Sequence, residues 1–154
     1  MSFFFFVLYL FDKNKSKERI EYEFHILGNE ICFITSITSI IGIVMLFLNF
    51  STFHTASDGK VFLVGVANWG RLFGIVSDPN YTSVICVVAI MLALGFLIKS
   101  QNVIVKIIYV ISILLNTCFI TFSASRTGIV TLCVCSVCFI FLYVLYFIIC
   151  VMQN

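Results

Sequence analysis

Four stretches of this chain run for roughly twenty residues with almost no charge, and they constrain its folding more than any other feature. They are Ile31–Phe50, Tyr81–Ile98, Val103–Phe122 and Ile129–Ile149. A helix rises about 1.5 Å per residue, so about twenty apolar residues cover the ~30 Å hydrocarbon core of a bilayer. Ser, Thr, Asn, Gly and Cys interrupt the runs. The one charge, Lys106, falls within a turn of a helix end and extends its amine toward the headgroups. The expectation is an all-α fold, a polytopic transmembrane helical bundle forming a single domain over residues 1–154.

Composition agrees, with 62% apolar and 10% charged residues and a mean hydropathy of +1.16. A water-soluble domain of this size carries about 25% charged residues. The net charge of +2 is too small, and its basic residues too scattered, for a nucleic-acid partner. All seven cysteines lie in or beside apolar runs, where buried thiols are ordinary packing residues, and no disulfides are expected. Cys133, Cys135 and Cys138 have no acidic or histidine neighbour and do not share one helical face, so no metal site and no cofactor is expected. The apolar run Ser2–Phe11 is too short to span. Its basic residues follow instead of preceding it, unlike a signal peptide. It reads as the second half of a helix or as an interfacial segment.

Lys13, Lys15, Lys17, Arg19, Lys99 and Lys106 fall on one side of the alternating spans, and Lys60, Arg71 and Arg126 on the other. The bias of Lys and Arg toward the cytoplasm puts the first group inside. The connection 51–80 and the turn 123–128 are then outside. Thr38 with Gly42, and Ala89 with Ala93, are small residues four apart that let helices approach, a common feature of membrane helices.

Within the outer connection, Lys60 to Ile75 is too apolar for a loop in water, so part of it must be sheltered. Trp69 and Phe73 stand four apart among Gly65, Gly70 and Gly74, which fits a short, partly buried amphipathic segment on the outer membrane surface or dipping into a cavity. Arg71 inside that passage needs an anion, water or headgroups. Headgroup anchoring, a substrate anion and pairing with Asp78 are the alternatives. Ser77-Asp78-Pro79-Asn80 reads as a turn, with Asn80 capping a helix that begins at Tyr81. Arg126 is held near the bundle mouth by the short turn Ser123–Gly128. Its planar five-donor group suits phosphate or carboxylate, and two such groups on one side suit a diphosphate; simple interface anchoring is the other reading.

The passage WGRLFGIVSDPN at Trp69–Asn80, followed after a helical hairpin by TFSASRTG at Thr121–Gly128, resembles the O-antigen ligase and polymerase family of bacterial envelope polysaccharide enzymes. In that family an Arg-x-x-Gly passage leads into Pro-Asn at a helix start, and a Ser-Arg pair opens a later helix. Arg71, Gly74, Pro79 and Asn80 match the first pattern, and Ser125, Arg126 and Gly128 the second. The resemblance covers Trp69 to Val130. Family members have more spans than four, so it implies an internal portion of a larger integral membrane glycosyltransferase.

The resemblance also implies a reaction at the outer face of the bacterial cytoplasmic membrane. A glycan carried on a polyprenyl diphosphate is transferred to a hydroxyl of an acceptor, either another lipid-linked repeat unit in a polymerase or a lipid core in a ligase. Arg71 and Arg126 neutralise the leaving diphosphate without a metal or other cofactor, and Gly74, Pro79, Asn80 and Ser125 complete the substrate site. Asp78 is the candidate base, although a cap or salt bridge explains it more simply. The partners are the lipid-linked glycan, its acceptor, membrane lipids and polysaccharide assembly proteins. Polymerase is favoured over ligase because a ligase's long outer loop with further arginines and a histidine is missing; His54 and His25 match no motif. An inactive truncated remnant or a scaffold is the non-enzymatic alternative.

Overall fold

A computed structural model describes residues 16–55, 57–67, 70–76 and 78–152. The run Ser2–Phe11, the basic residues Lys13 and Lys15, and Trp69 and Ser77 lie outside the described residues. Among the described residues the helices are α1 (Lys17–Phe47), α2 (Pro79–Lys99), α3 (Val103–Phe122) and α4 (Arg126–Met152). Each is long and apolar enough to cross a membrane, and the architecture is that of a multi-pass helical bundle.

The first helix begins well before the apolar run it contains. Lys, Glu and Arg are good helix formers, so the polar stretch through His25 is a helical extension and no break. Ser16 caps it by accepting from the Arg19 amide at 3.3 Å, and Arg19 pairs with Glu23 one turn on at 3.2 Å. At 31 residues, α1 is about 46 Å long and exceeds the hydrocarbon thickness.

The second helix is the centre of the bundle. Of its apolar window 44% is buried, against 6% for α4. Ala89 and Ala93 are fully covered, and with Cys32, Phe96 and Tyr109 they form one core cluster. A second cluster, Val66, Leu72, Cys86, Val87, Ile90, Phe119 and Ile120, lies toward the other end. Gly42 is buried under the Phe119 ring, while Thr38 bonds back to the Thr35 carbonyl at 2.9 Å and is half-buried. The thiols of Cys32, Cys86, Cys118, Cys133, Cys135 and Cys138 are free.

A polar seam joins α1 to α3. The Ser36 and Ser112 hydroxyls are 2.8 Å apart, Ser39 donates to Asn116 Oδ1 at 3.2 Å, and Asn116 Nδ2 donates to the Ser112 carbonyl at 2.8 Å. Closer to the Lys17 end, Tyr109 donates to Asn29 Oδ1 at 2.7 Å.

The connection between α1 and α2 forms a small antiparallel sheet in the order β1-β2-β3, made by Ser51–Thr55, Val61–Val66 and Leu72–Gly74. The all-α expectation therefore holds for the bundle and not for this connection. The shelter inferred for it is real but graded. β1 is exposed throughout, whereas Val66, Ala67, Leu72 and Gly74 are buried against the helix ends. At the hairpin tip, Lys60 Nζ lies 3.1 Å from Asp58 Oδ2 and holds that carboxyl below its usual range. Because the helices alternate in direction, the sheet and the α3–α4 turn meet at one end of the bundle.

Candidate functional site at the sheet end of the bundle

Arg71 leaves the β2–β3 turn, which is closed by hydrogen bonds from the Ala67 amide to the Arg71 carbonyl at 2.9 Å and from the Gly70 amide to the Ala67 carbonyl at 2.8 Å. Side chains alternate along an extended strand. Leu72 is thus fully buried in the core, while Arg71 and Phe73 share the other face with the guanidinium carbon 5.6 Å from the Phe73 ring centre. Burial of Leu72 anchors the arginine's backbone. Its side chain is fixed as well: Nε donates to the Ser123 carbonyl at 2.8 Å and Nη2 to Asn80 Oδ1 at 3.2 Å.

Asp78 is the cap of α2. Its Oδ1 accepts from the Asn80 amide at 2.9 Å and the Tyr81 amide at 3.2 Å, and Pro79 occupies the first helical position, where its missing N–H costs nothing. The helix therefore starts two residues earlier than Tyr81, and the capping assigned to Asn80 belongs to Asp78. Asn80, relieved of that task, turns its side chain toward Arg71 and Ser125. Asp78 pairs with neither arginine and is not part of the cleft lining described below.

The α3–α4 turn is equally tight. Ala124 adopts a left-handed conformation with φ of 47°. Ser125 then caps α4, its Oγ accepting from the Gly128 amide at 3.0 Å while donating to Asn80 Oδ1 at 3.0 Å. Gly128 is required by close approach, since a Cβ there would stand 2.5 Å from that of Ser83 on α2. The hydroxyls of Ser83 and Ser123 are 2.9 Å apart. These contacts clamp the two helix starts together. Gly74 has φ of +68° with Phe119 against it, and Pro79 is buried, so both shape the site from behind.

Between these elements an open cleft of about 580 Å³ is lined by Gly70, Arg71, Asn80, Ala124, Arg126 and Thr127. Of the residues singled out from sequence, Arg71, Asn80 and Arg126 line it, Ser125 supports it through Asn80, and Gly74, Pro79 and Asp78 stand back. Gly70, Ala124, Thr127 and the Ser123 carbonyl were not singled out. A backbone carbonyl has no sequence signature, while small residues flanking an arginine in a tight turn do carry one.

The electrostatics are one-sided. Arg126 is the first residue of α4, at the positive end of the helix dipole, and no acidic residue occupies that first turn. Arg71 bonds to neutral groups. Among the described residues neither arginine has a carboxylate partner. Two guanidinium groups and a helix N-terminus thus face one opening with no carboxylate paired to either arginine among the described residues, an arrangement suited to phosphate oxygens.

No protein-family model matches this chain, and neither a curated protein nor a solved structure is significantly similar to it.

Proposed function

We propose that this chain acts in the extracytoplasmic polymerisation of polyprenyl-diphosphate-linked oligosaccharide repeat units, at the outer face of a bacterial cytoplasmic membrane. The observation that carries the reading is the cleft shared by Arg71 and Arg126, uncompensated by any carboxylate among the described residues. The resemblance of Trp69–Asn80 and Thr121–Gly128 to the O-antigen ligase and polymerase family supports it. The bias of basic residues toward the opposite end supports the outward orientation.

The reaction asks little covalent chemistry of the protein. An acceptor hydroxyl attacks C1 of the donor sugar, the bond from C1 to the diphosphate oxygen breaks, and its electron pair stays on the diphosphate. The hydroxyl proton leaves to water through the open cleft. Charge building on the departing diphosphate is met by Arg71, already held by Ser123 and Asn80 and so needing no reorganisation. Arg126 is exposed and able to close on the ligand. Each charge-assisted hydrogen bond contributes about 1.5–3 kcal/mol. A ligase shares this donor half and differs in its acceptor.

The test is binding of a polyprenyl diphosphate to the protein in lipid nanodiscs. Arg71→Lys and Arg126→Lys each weaken binding roughly tenfold, since an ammonium forfeits the bidentate geometry, while membrane insertion is unchanged. Equal competition by an anionic phospholipid with a single phosphate establishes headgroup anchoring instead.

A second reading, a non-catalytic scaffold, is favoured by α4. Val137, Ile140, Phe141, Leu142, Tyr143, Val144 and Leu145 are all exposed, so their side chains are left largely uncovered by the described residues. Retained membrane assembly with no diphosphate binding selects this reading.

A further inference from the structure

Asn80 is an exposed residue in the first turn of α2, yet its side-chain oxygen joins two other elements. A guanidinium carries donors alone, so the Asn80 atom 3.2 Å from Arg71 Nη2 must be the amide oxygen. Chemistry thereby fixes an amide orientation that is ordinarily ambiguous. The same oxygen accepts from Ser125 Oγ at 3.0 Å, and Ser125 in turn caps α4. Both lone pairs of Oδ1 are therefore engaged. Nδ2, with two N–H donors, has no partner among the described residues, and Asn80 lines the cleft.

The choice of an amide is informative. A carboxylate of the same shape would accept both bonds and strengthen them through charge. For stability alone, aspartate is the better residue beside an unpaired arginine. An amide keeps the geometry and leaves the positive charge of the cleft uncancelled.

We propose that Asn80 sets the geometry of this cleft and is its neutral third donor. Oδ1 fixes the Arg71 guanidinium relative to the start of α4, and Nδ2 donates to an oxygen of a diphosphate bound between Arg71 and Arg126. This rests on the diphosphate reading above and deepens it by assigning the residue that aligns the two charges.

The test uses Asn80→Asp and Asn80→Ala in the full chain in nanodiscs, titrated with inorganic pyrophosphate and with a polyprenyl diphosphate, alongside thermal unfolding. Asn80→Asp is expected to melt at or above the wild-type temperature and to bind at least about tenfold more weakly, a divergence that a merely structural role does not produce. Asn80→Ala is expected to melt lower and to lose roughly three- to tenfold in affinity, the equivalent of one neutral hydrogen bond. Wild-type protein that binds neither ligand overturns the diphosphate reading itself. Wild-type binding weakened by Arg126→Lys but unchanged by Asn80→Asp overturns the role of Asn80 alone. Should Asn80→Asp fail to fold, unchanged affinity in Asn80→Ala overturns it, and the expected loss supports it.

Discussion

The polar seam between α1 and α3 and the polar cluster at the sheet end differ in what they leave unsatisfied. In the α1–α3 seam, Ser36, Ser39, Ser112 and Asn116 bond to one another and to backbone carbonyls. No buried side-chain nitrogen or oxygen lacks a partner among the described residues. At the sheet end, Arg71, Asn80, Ser123 and Ser125 are cross-linked just as closely, but among the described residues every partner of Arg71 is neutral and Arg126 has no carboxylate partner. The seam is chemically closed and serves packing. The cleft is geometrically closed and electrostatically open, which is the condition for binding an anion.

The sharpest way to break the contrast is to remove both cleft charges. Arg71→Ala with Arg126→Ala should reduce polyprenyl diphosphate affinity by at least about a hundredfold, from two lost charge-assisted contacts, while the melting temperature falls only to about the extent of Asn80→Ala, through the loss of Arg71's bonds to Ser123 and Asn80. Titration and melting of the same nanodisc sample read both quantities. A melting temperature well below that of Asn80→Ala would place the arginines with the seam, as structural residues.

Next in size is Gly128→Val, which drives a side chain into Ser83 where the α2 and α4 starts meet. The expected cost is about 1–3 kcal/mol of stability, with binding weakened because Ser125 and Asn80 are displaced together. Unfolding in mixed micelles measures the first effect, and unaltered binding in the folded fraction would uncouple the clamp from the cleft.

In the seam, Asn116→Leu removes one amide from a satisfied network and should cost about 0.6–1.7 kcal/mol, leaving diphosphate affinity unchanged. Any loss of affinity contradicts the division between the two clusters. The smallest effect is expected from Ala124→Gly. It relieves the left-handed strain of the α3–α4 turn and should stabilise by about 0.5 kcal/mol, the strain of about 1 kcal/mol being partly offset by glycine's greater unfolded freedom. A melting temperature that falls would show that the turn is not strained.

Much of the bundle was legible because hydrocarbon thickness is a ruler, and the apolar runs placed α2 and α3 within two residues of their observed starts. That ruler fails for α1, where helix continues through charged residues that hydropathy reads as a break. The sheet went unread although its signal was present. Asp58-Gly59 is a strong hairpin turn, and Ser51–Thr55 and Val61–Val66 flank it with residues suited to strands. Spacing of Trp69 and Phe73 drew attention to a helical period instead. Arg71 and Arg126 were placed at one end by charge bias and alternation alone. Their sharing of one cleft depended on the burial of Leu72, which swings Arg71 to the opposite face, and on the tightness of the Ser123–Ser125 turn. Asn80 was misread because Asp and Asn both cap helices, and the position of Pro79 was the clue that decides between them.

The central claim is that Arg71 and Arg126 face one extracytoplasmic cleft. It is tested most directly by single-cysteine labelling. The seven native cysteines are replaced by alanine or serine, Arg71→Cys or Arg126→Cys is introduced, and intact cells are exposed to a membrane-impermeant maleimide. Both positions are predicted to react from outside. Reaction of one position from outside and the other only after the membrane is opened would contradict the account, as would reaction of both only from within.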